Sequence, residues 1–307
     1  KIKNMDNHGG LNSDWTDSLS RNQHPDGTAL LAHLRTVHQH NAGFTELCAS
    51  ACRDKARRNS YEWLAEAVPN IDGTRVLDLA CGSGPLLEIL YKRNASLILK
   101  GVDMSPEELA LAKVRLPDGA VKLFELKAQD LNTISNGSID VVLCHWALTL
   151  MNPIAPVLDE IRRILSAGGR FAALVDGPMH LASGYTEVHD LIYKYVQAEL
   201  PSYGKVDLGD PRIRGTDSLS HLISAAFPNA KVTVETNVVS LEGPPTELAE
   251  MAAGFFYAAF TLPTEIRRAM LSELSDLLAS SKRSENAVEK ARFSMPINRL
   301  LVFPSTK

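Results

Sequence analysis

From residue 75 to residue 176, short apolar runs alternate with stretches whose apolar residues recur every three or four positions. The runs 75–80, 97–103, 121–126, 139–144 and 171–176 read as strands. Between them, 85–93 is helical and entered through glycines. Ser105-Pro-Glu-Glu opens another helix: Ser105 caps it, Pro106 suits the first helical position and Glu108 completes a capping box. Residues 153–165 form a third, with Val157, Ile161, Ile164 and Leu165 facing one way. Strands that are apolar on both faces need cover on both, so the pattern demands a largely parallel sheet between two helical layers. Two later runs, 232–241 and 292–303, add strands. The expected fold class is therefore α/β: a seven-stranded, mostly parallel sheet with helices on both faces.

The flanks read differently. Residues 1–27 are rich in Asn, Asp, Ser and Gly and are expected to form a mobile or lid-like arm. Residues 28–68 have helical spacing and should give two or three helices. The expected division is an N-terminal arm and helical cap over 1–68, then a sheet domain over 69–307 with helical insertions at about 177–228 and 244–282. Helices are expected at 185–200, 217–227, 245–260 and 265–280, with a Gly/Pro/Asp-rich loop at 201–216.

Composition excludes several classes. Lys and Arg total 32 against 36 Asp and Glu, a net charge of −4. Nucleic acid is not an expected partner, because a basic surplus is missing. No run approaches the ~18 apolar residues of a membrane span, and the first 30 residues lack the apolar core of a signal peptide. The expected location is cytoplasmic. Cys48, Cys52, Cys81 and Cys144 lack zinc-finger spacing and read as buried free thiols. The histidines His33, His38 and His40 lack metal-ligand spacing, so no metal is expected.

The sharpest local feature is Val76-Leu-Asp-Leu-Ala-Cys-Gly-Ser-Gly-Pro-Leu-Leu. An apolar strand runs into Gly82-Ser-Gly84 and a helix, so backbone can approach a ligand and present helix N–H groups. Asp103 ends the next strand, where a carboxylate can take both hydroxyls of a ribose. A dinucleotide site would carry a third glycine, but that position is Leu87. An acid, Asp78, lies in the preceding strand instead and can face an ammonium group.

On these residues the chain resembles the class I S-adenosylmethionine-dependent methyltransferases, of the small-molecule type. Asp78-Leu-Ala-Cys-Gly-Ser-Gly84 resembles their first motif and Gly101-Val-Asp-Met-Ser their second. Ala128-Gln-Asp-Leu resembles the third, Asp140 through Leu148 the strand bordering the methyl-transfer site, and Leu165-Ser-Ala-Gly-Gly-Arg-Phe the turn before strand five. The likeness covers about 70–180. It implies a Rossmann-like domain that binds S-adenosyl-L-methionine and releases S-adenosyl-L-homocysteine. The residues it implies for the cofactor are Asp78, Ala80, Gly82, Gly84, Asp103, Met104, Gln129, Asp130, Leu131, Cys144 and Tyr61. Met104 would pack on adenine, Asp130 would accept from its amino group and the Leu131 N–H would reach a ring nitrogen. Tyr61, with Arg53 or Arg58 as alternatives, would lie near the methionyl carboxylate.

Methyl transfer from a sulfonium is an in-line displacement, so alignment and exclusion of water dominate. A base is needed only for an acceptor that keeps its proton at neutral pH. Candidates lie at strand carboxyl ends: His145 after strand four, then Asp176, His180 and His189 after strand five. The aromatic run Phe255, Phe256, Tyr257 and Phe260, with Met251, reads as helix packing or as the wall of an apolar pocket, and the stripe Tyr185, His189, Tyr193 could face the same place. The expected reaction is methylation of O, N or C on a small, partly apolar molecule, of the kind found in specialised metabolism. The alternatives are a carrier-bound or peptidyl acceptor, a nicotinamide oxidoreductase disfavoured by Leu87, or a non-catalytic nucleoside-binding protein of the same fold. The N-terminal helices and 177–220 are expected to close over the acceptor, and a homodimer is compatible with the composition.

Overall fold

The computed structural model describes residues 10–204, 208–280 and 290–305. Helices α1 (Asp14–Ser20), α2 (Gly27–His40), α3 (Phe44–Ala51) and α4 (Ser60–Ala65) precede the first strand, β1 (Arg75–Leu79). The alternating region follows as α5 (Pro85–Arg93), β2 (Ile98–Asp103), α6 (Pro106–Arg115), β3 (Val121–Glu125), β4 (Ile139–His145), α7 (Ala155–Ile164) and β5 (Leu165–Asp176). Then come α8 (Tyr185–Glu199), α9 (Thr216–Ala226), β6 (Lys231–Gly243), α10 (Pro245–Phe255), α11 (Thr264–Ser280) and β7 (Ala291–Phe303). The strands form one sheet in the order β3-β2-β1-β4-β5-β7-β6. Neighbours from β3 to β5 are parallel, whereas β7 runs antiparallel to β5. Successive crossovers leave β1 toward β2 on one side and toward β4 on the other. Ligands of such sheets bind beyond the carboxyl ends of the strands where this reversal occurs.

The chain forms two compact units, one comprising residues 1–53, 179–207 and 238–295, the other 54–178, 208–237 and 296–307. In the second, the sheet unit, Leu77, Leu79, Val142, Phe171 and Leu300 are fully buried with Val157, Ile161 and Ile164 of α7. Each such side chain contributes about 1.5–3 kcal/mol on burial. The unit begins at Asp54, so α4, expected with the N-terminal cap, groups with the sheet. Arg299 of β7 ties it there, lying 4.6 Å over the Trp63 ring and donating to the Trp63 carbonyl. Arg93 also donates to the carbonyls of Ala65, the last residue of α4, and of Val68.

In the first, helical unit, two expectations fail. Residues 10–27 are not a loose arm: Ser13 and Thr16 form a complete capping box on α1, and Trp15 and Leu19 are buried. Trp15 stacks on His33 of α2, with centroids 4.8 Å apart. Residues 1–9 of that expected arm lie outside the described residues. The expected helix 245–260 also breaks. After Phe255 the chain continues as a 3₁₀ turn, Tyr257–Thr261, which brings Phe260 against Phe44 and Val37.

Candidate functional site

The glycine turn after β1 is built from backbone that few side chains tolerate. Ala80, Gly82 and Gly84 have φ of 59°, 54° and 83°, the left-handed region in which glycine costs least. The Gly82 N–H donates to Asp103 Oδ2 at 2.8 Å, and the Ser105 N–H donates to Asp103 Oδ1 at 2.9 Å. The second bond corrects the expected capping box of α6. Ser105 Oγ does accept from the Glu108 N–H, but the Ser105 N–H goes to Asp103. An ionised carboxylate has about four acceptor positions, and both Asp103 oxygens already hold the turn.

Asp78 is in the opposite state. It is 2% exposed, and its Oδ1 has no hydrogen-bond partner. Burial, and then the charge of Asp103, push its carboxyl well above the usual carboxylate range. A buried acid with an orphan oxygen beside a second acid calls for a cation. The ammonium of a methionyl group meets that need, and the residues present therefore fit S-adenosylmethionine. Asp78 would face the ammonium, Asp103 the ribose, and the turn would let backbone approach the chain between them.

Gly101 on β2 explains why the dinucleotide pattern is absent. A Cβ there would lie 2.8 Å from both Leu87 and Leu123 and 3.0 Å from the Cys81 thiol. The close packing of α5 on the sheet is supplied by a glycine in the strand, so the helix keeps Leu87.

The remaining cofactor candidates divide. Met104 and Gln129 are half-buried and Asp130 is exposed, beyond the carboxyl ends of β2 and β3. Leu131 is corrected: its N–H donates to Glu160 Oε2 at 2.7 Å, and its side chain is buried in the core. Glu160 is itself fixed by Arg163, which also donates to the Leu131 carbonyl. That N–H therefore anchors the loop to α7. Cys144 turns its side chain away from the pocket side of that expectation. Its side chain is in the sheet core, where burial pushes the thiol up and the Ala147 and Leu148 N–H groups bond its sulfur. Any contact it offers a cofactor is through main chain. Arg58 is engaged by Asp54 and Glu66.

At the end of β4, His145 Nε2 bonds the Ser60 hydroxyl at 2.8 Å, and its ring stacks on Tyr61 with centroids 3.7 Å apart. Burial pushes its pKa down to about 3. A ring so desolvated and so held is a poor proton acceptor at neutral pH. Next to it, Trp146 is strained at φ 54° and donates its indole N–H to Asp176 Oδ1 at 2.6 Å. The Arg214 Nε lies 3.6 Å from the other Asp176 oxygen. No periodic or compositional signal marks Ser60, Trp146 or Arg214. The Ser60 contact arises only where α4 meets β4.

His180 and His189 belong to the helical unit. His180 is exposed on a 3₁₀ turn, Met179–Leu181. His189 bonds Asp190 at 3.0 Å and stacks on Tyr193 at 4.1 Å. Tyr185 stacks on Phe256 at 5.9 Å, so the expected aromatic stripe and part of the aromatic run do meet, whereas Phe260 is absorbed into packing with Phe44.

The reversed parallel sheet, the left-handed glycine turn and the acid ending β2 define a nucleoside-cofactor-binding α/β domain. Residues 77–173 match the family described as methyltransferase domain, so this segment of the sheet is similar to the class I, S-adenosylmethionine-dependent methyltransferases. A ubiquinone biosynthesis O-methyltransferase of Aeromonas salmonicida is 30% identical over 111 residues, 36% of this chain and 46% of that protein. An uncharacterized methyltransferase of Synechocystis is 35% identical over 106 residues, 34% of this chain and 47% of that one. The chain thus spans about half the length of the curated relatives it matches. Among solved structures, the [4+2]-cyclase SpnF aligns with a TM-score of 0.56 at 15% identity, covering 92% of this chain and 98% of that one. The YcgJ protein of Bacillus subtilis gives 0.52 at 13%, covering 81% and 99%. Both share the fold. Among the described residues, no helix is long and apolar enough to cross a membrane.

Proposed function

We propose that the chain transfers the methyl group of S-adenosylmethionine to a small, partly apolar acceptor, with an oxygen as the favoured atom. The observation that carries the reading is the unpartnered, buried Asp78 oxygen beside the Asp103-latched glycine turn. The name of the relatives, O-methyltransferase, supports oxygen over nitrogen or carbon. When bound, the cofactor supplies a methyl already activated on a sulfonium. The chain's own residues then bind, orient and exclude water. Asp78 and Asp103 hold the two ends of the donor. His145, neutral and stacked, acts as a positioning residue that keeps Tyr61 in place. Asp176, fixed by Trp146 and Arg214 at the end of β5, is the carboxylate we assign to the acceptor's hydroxyl. Specialised metabolism is the proposed setting and the cytoplasm the proposed location.

Isothermal titration with S-adenosylhomocysteine and with NADH tests the reading. Binding of the first and not the second is expected. Heat with NADH alone would overturn it, and product binding without methyl transfer to any phenol or catechol tested would favour a nucleoside-binding protein of the same fold.

A further inference from the structure

The helical unit holds a buried guanidinium whose N–H groups are not taken up. Arg267, in the first turns of α11, is 7% exposed, and its Nε and Nη2 have no hydrogen-bond partner. Among the described residues Arg299 is buried as well and leaves only its Nε without a partner, since its other nitrogens donate to the Trp63 carbonyl and to Glu235. A charge withdrawn from water without such partners is strongly unfavourable until something completes it.

There is room for that something. Gly254 of α10 is buried, yet a Cβ built on it would meet no atom within 4 Å. Buried positions are normally close-packed, so this is unfilled space. Helix α10 packs against α11. Gly254 lies four residues after Glu250, and residues at that spacing share a helix face. Glu250 is the acid whose charge acts on Arg267, and α10 carries it and Gly254 into its packing with α11.

We propose that Arg267 and the space at Gly254 form an anion-binding site in the helical unit, which takes a small molecule bearing a carboxylate or a phosphate. The planar guanidinium suits either group because it can donate two parallel bonds to paired oxygens. The proposal does not depend on methyl transfer.

Thermal unfolding of the whole chain tests it, with sodium phosphate and sodium benzoate each compared with sodium chloride at equal ionic strength. One or both anions should raise the Tm of the native chain by several degrees, increasing with concentration. Phosphate acting alone assigns a phosphate ester, and benzoate acting alone assigns a carboxylic acid. Arg267→Met should abolish the shift and raise the Tm of the anion-free protein by about 3 °C, since the uncompensated charge is gone. Gly254→Leu fills the space and keeps the guanidinium; it should weaken the anion response at least tenfold. It serves as the independent variant if Arg267→Met fails to fold. Equal shifts in native chain and Arg267→Met, an undiminished response in Gly254→Leu, or no response of the native chain to either anion would overturn the site.

Discussion

Asp78 and Asp103 are carboxylates at neighbouring strand ends held in opposite states, and this is what separates their expected phenotypes. Asp78→Asn removes a buried carboxyl whose ionisation is disfavoured by burial and by Asp103, and whose Oδ1 lacks a partner. The ligand-free protein should melt higher, while affinity for S-adenosylhomocysteine falls at least tenfold, or about 1.4 kcal/mol. Differential scanning calorimetry and titration calorimetry read the two effects. Asp103→Ala should weaken product binding about 100-fold or more, since charged hydrogen bonds contribute roughly 1.5–3 kcal/mol each. Its kcat at saturating cofactor should change far less. Unchanged product affinity in Asp103→Ala would remove the ribose assignment. His145→Ala belongs to a third kind. It strips the partner from Ser60, which is fully buried, and the stacking surface from Tyr61. A loss of about 2–4 kcal/mol in unfolding free energy is expected. The pH profile of kcat should keep its shape in that variant, whereas loss of an ionisation step would reinstate His145 as a base.

At the scale of elements, the contact between β2 and α5 makes a test of its own. Gly101→Ala should destabilise by about 1–3 kcal/mol, because its methyl meets Leu87, Leu123 and Cys81 at 3.0 Å or less. Leu87→Ala costs stability alone but should recover part of the Gly101→Ala loss, a coupling measurable by a double-mutant cycle. The elements of this layer were legible in the sequence because burial on both faces leaves an unambiguous apolar run, and glycines mark where each run turns. The glycine turn and the strand-end acid were legible for the same reason. The capped helix α1 was not, since its seven residues show two apolar side chains among polar ones and its order comes from Trp15 packing on His33. The break at Phe256 was hidden by an apolar run that suits a helix and a 3₁₀ turn equally. The Leu131 role was misread because nothing local predicts that Glu160, 29 residues later, takes its N–H.

Across the whole molecule, two buried histidines set the response to acid. Burial lowers His33 to about 4 in the helical unit and His145 to about 3 in the sheet unit, both from 6.5. Each stays neutral in the fold and takes a proton when unfolded. The unfolded state therefore binds more protons below pH 6.5, and stability falls as pH drops toward the folded values. Each histidine contributes a slope of up to about 1.4 kcal/mol per pH unit over that window. Urea unfolding between pH 7.5 and 5 should show the combined slope, and His33→Gln should remove the part that belongs to the helical unit. A slope that His33→Gln leaves unchanged would contradict the burial of His33, since Asp78, raised by burial, opposes the histidines in the total.

Asp103 also has a consequence for redesign. The carboxylate that would read the sugar already latches the Gly82 and Ser105 amides before any ligand arrives. Recognition and loop shape are thus written in one side chain. An engineer who swaps that acid for a basic residue, hoping to admit a phosphorylated ribose, would also unfasten the turn. New latches for both amides would have to come from elsewhere in the loop, so this position resists the single-letter edits that retune nucleotide preference in folds where the two duties fall to different residues.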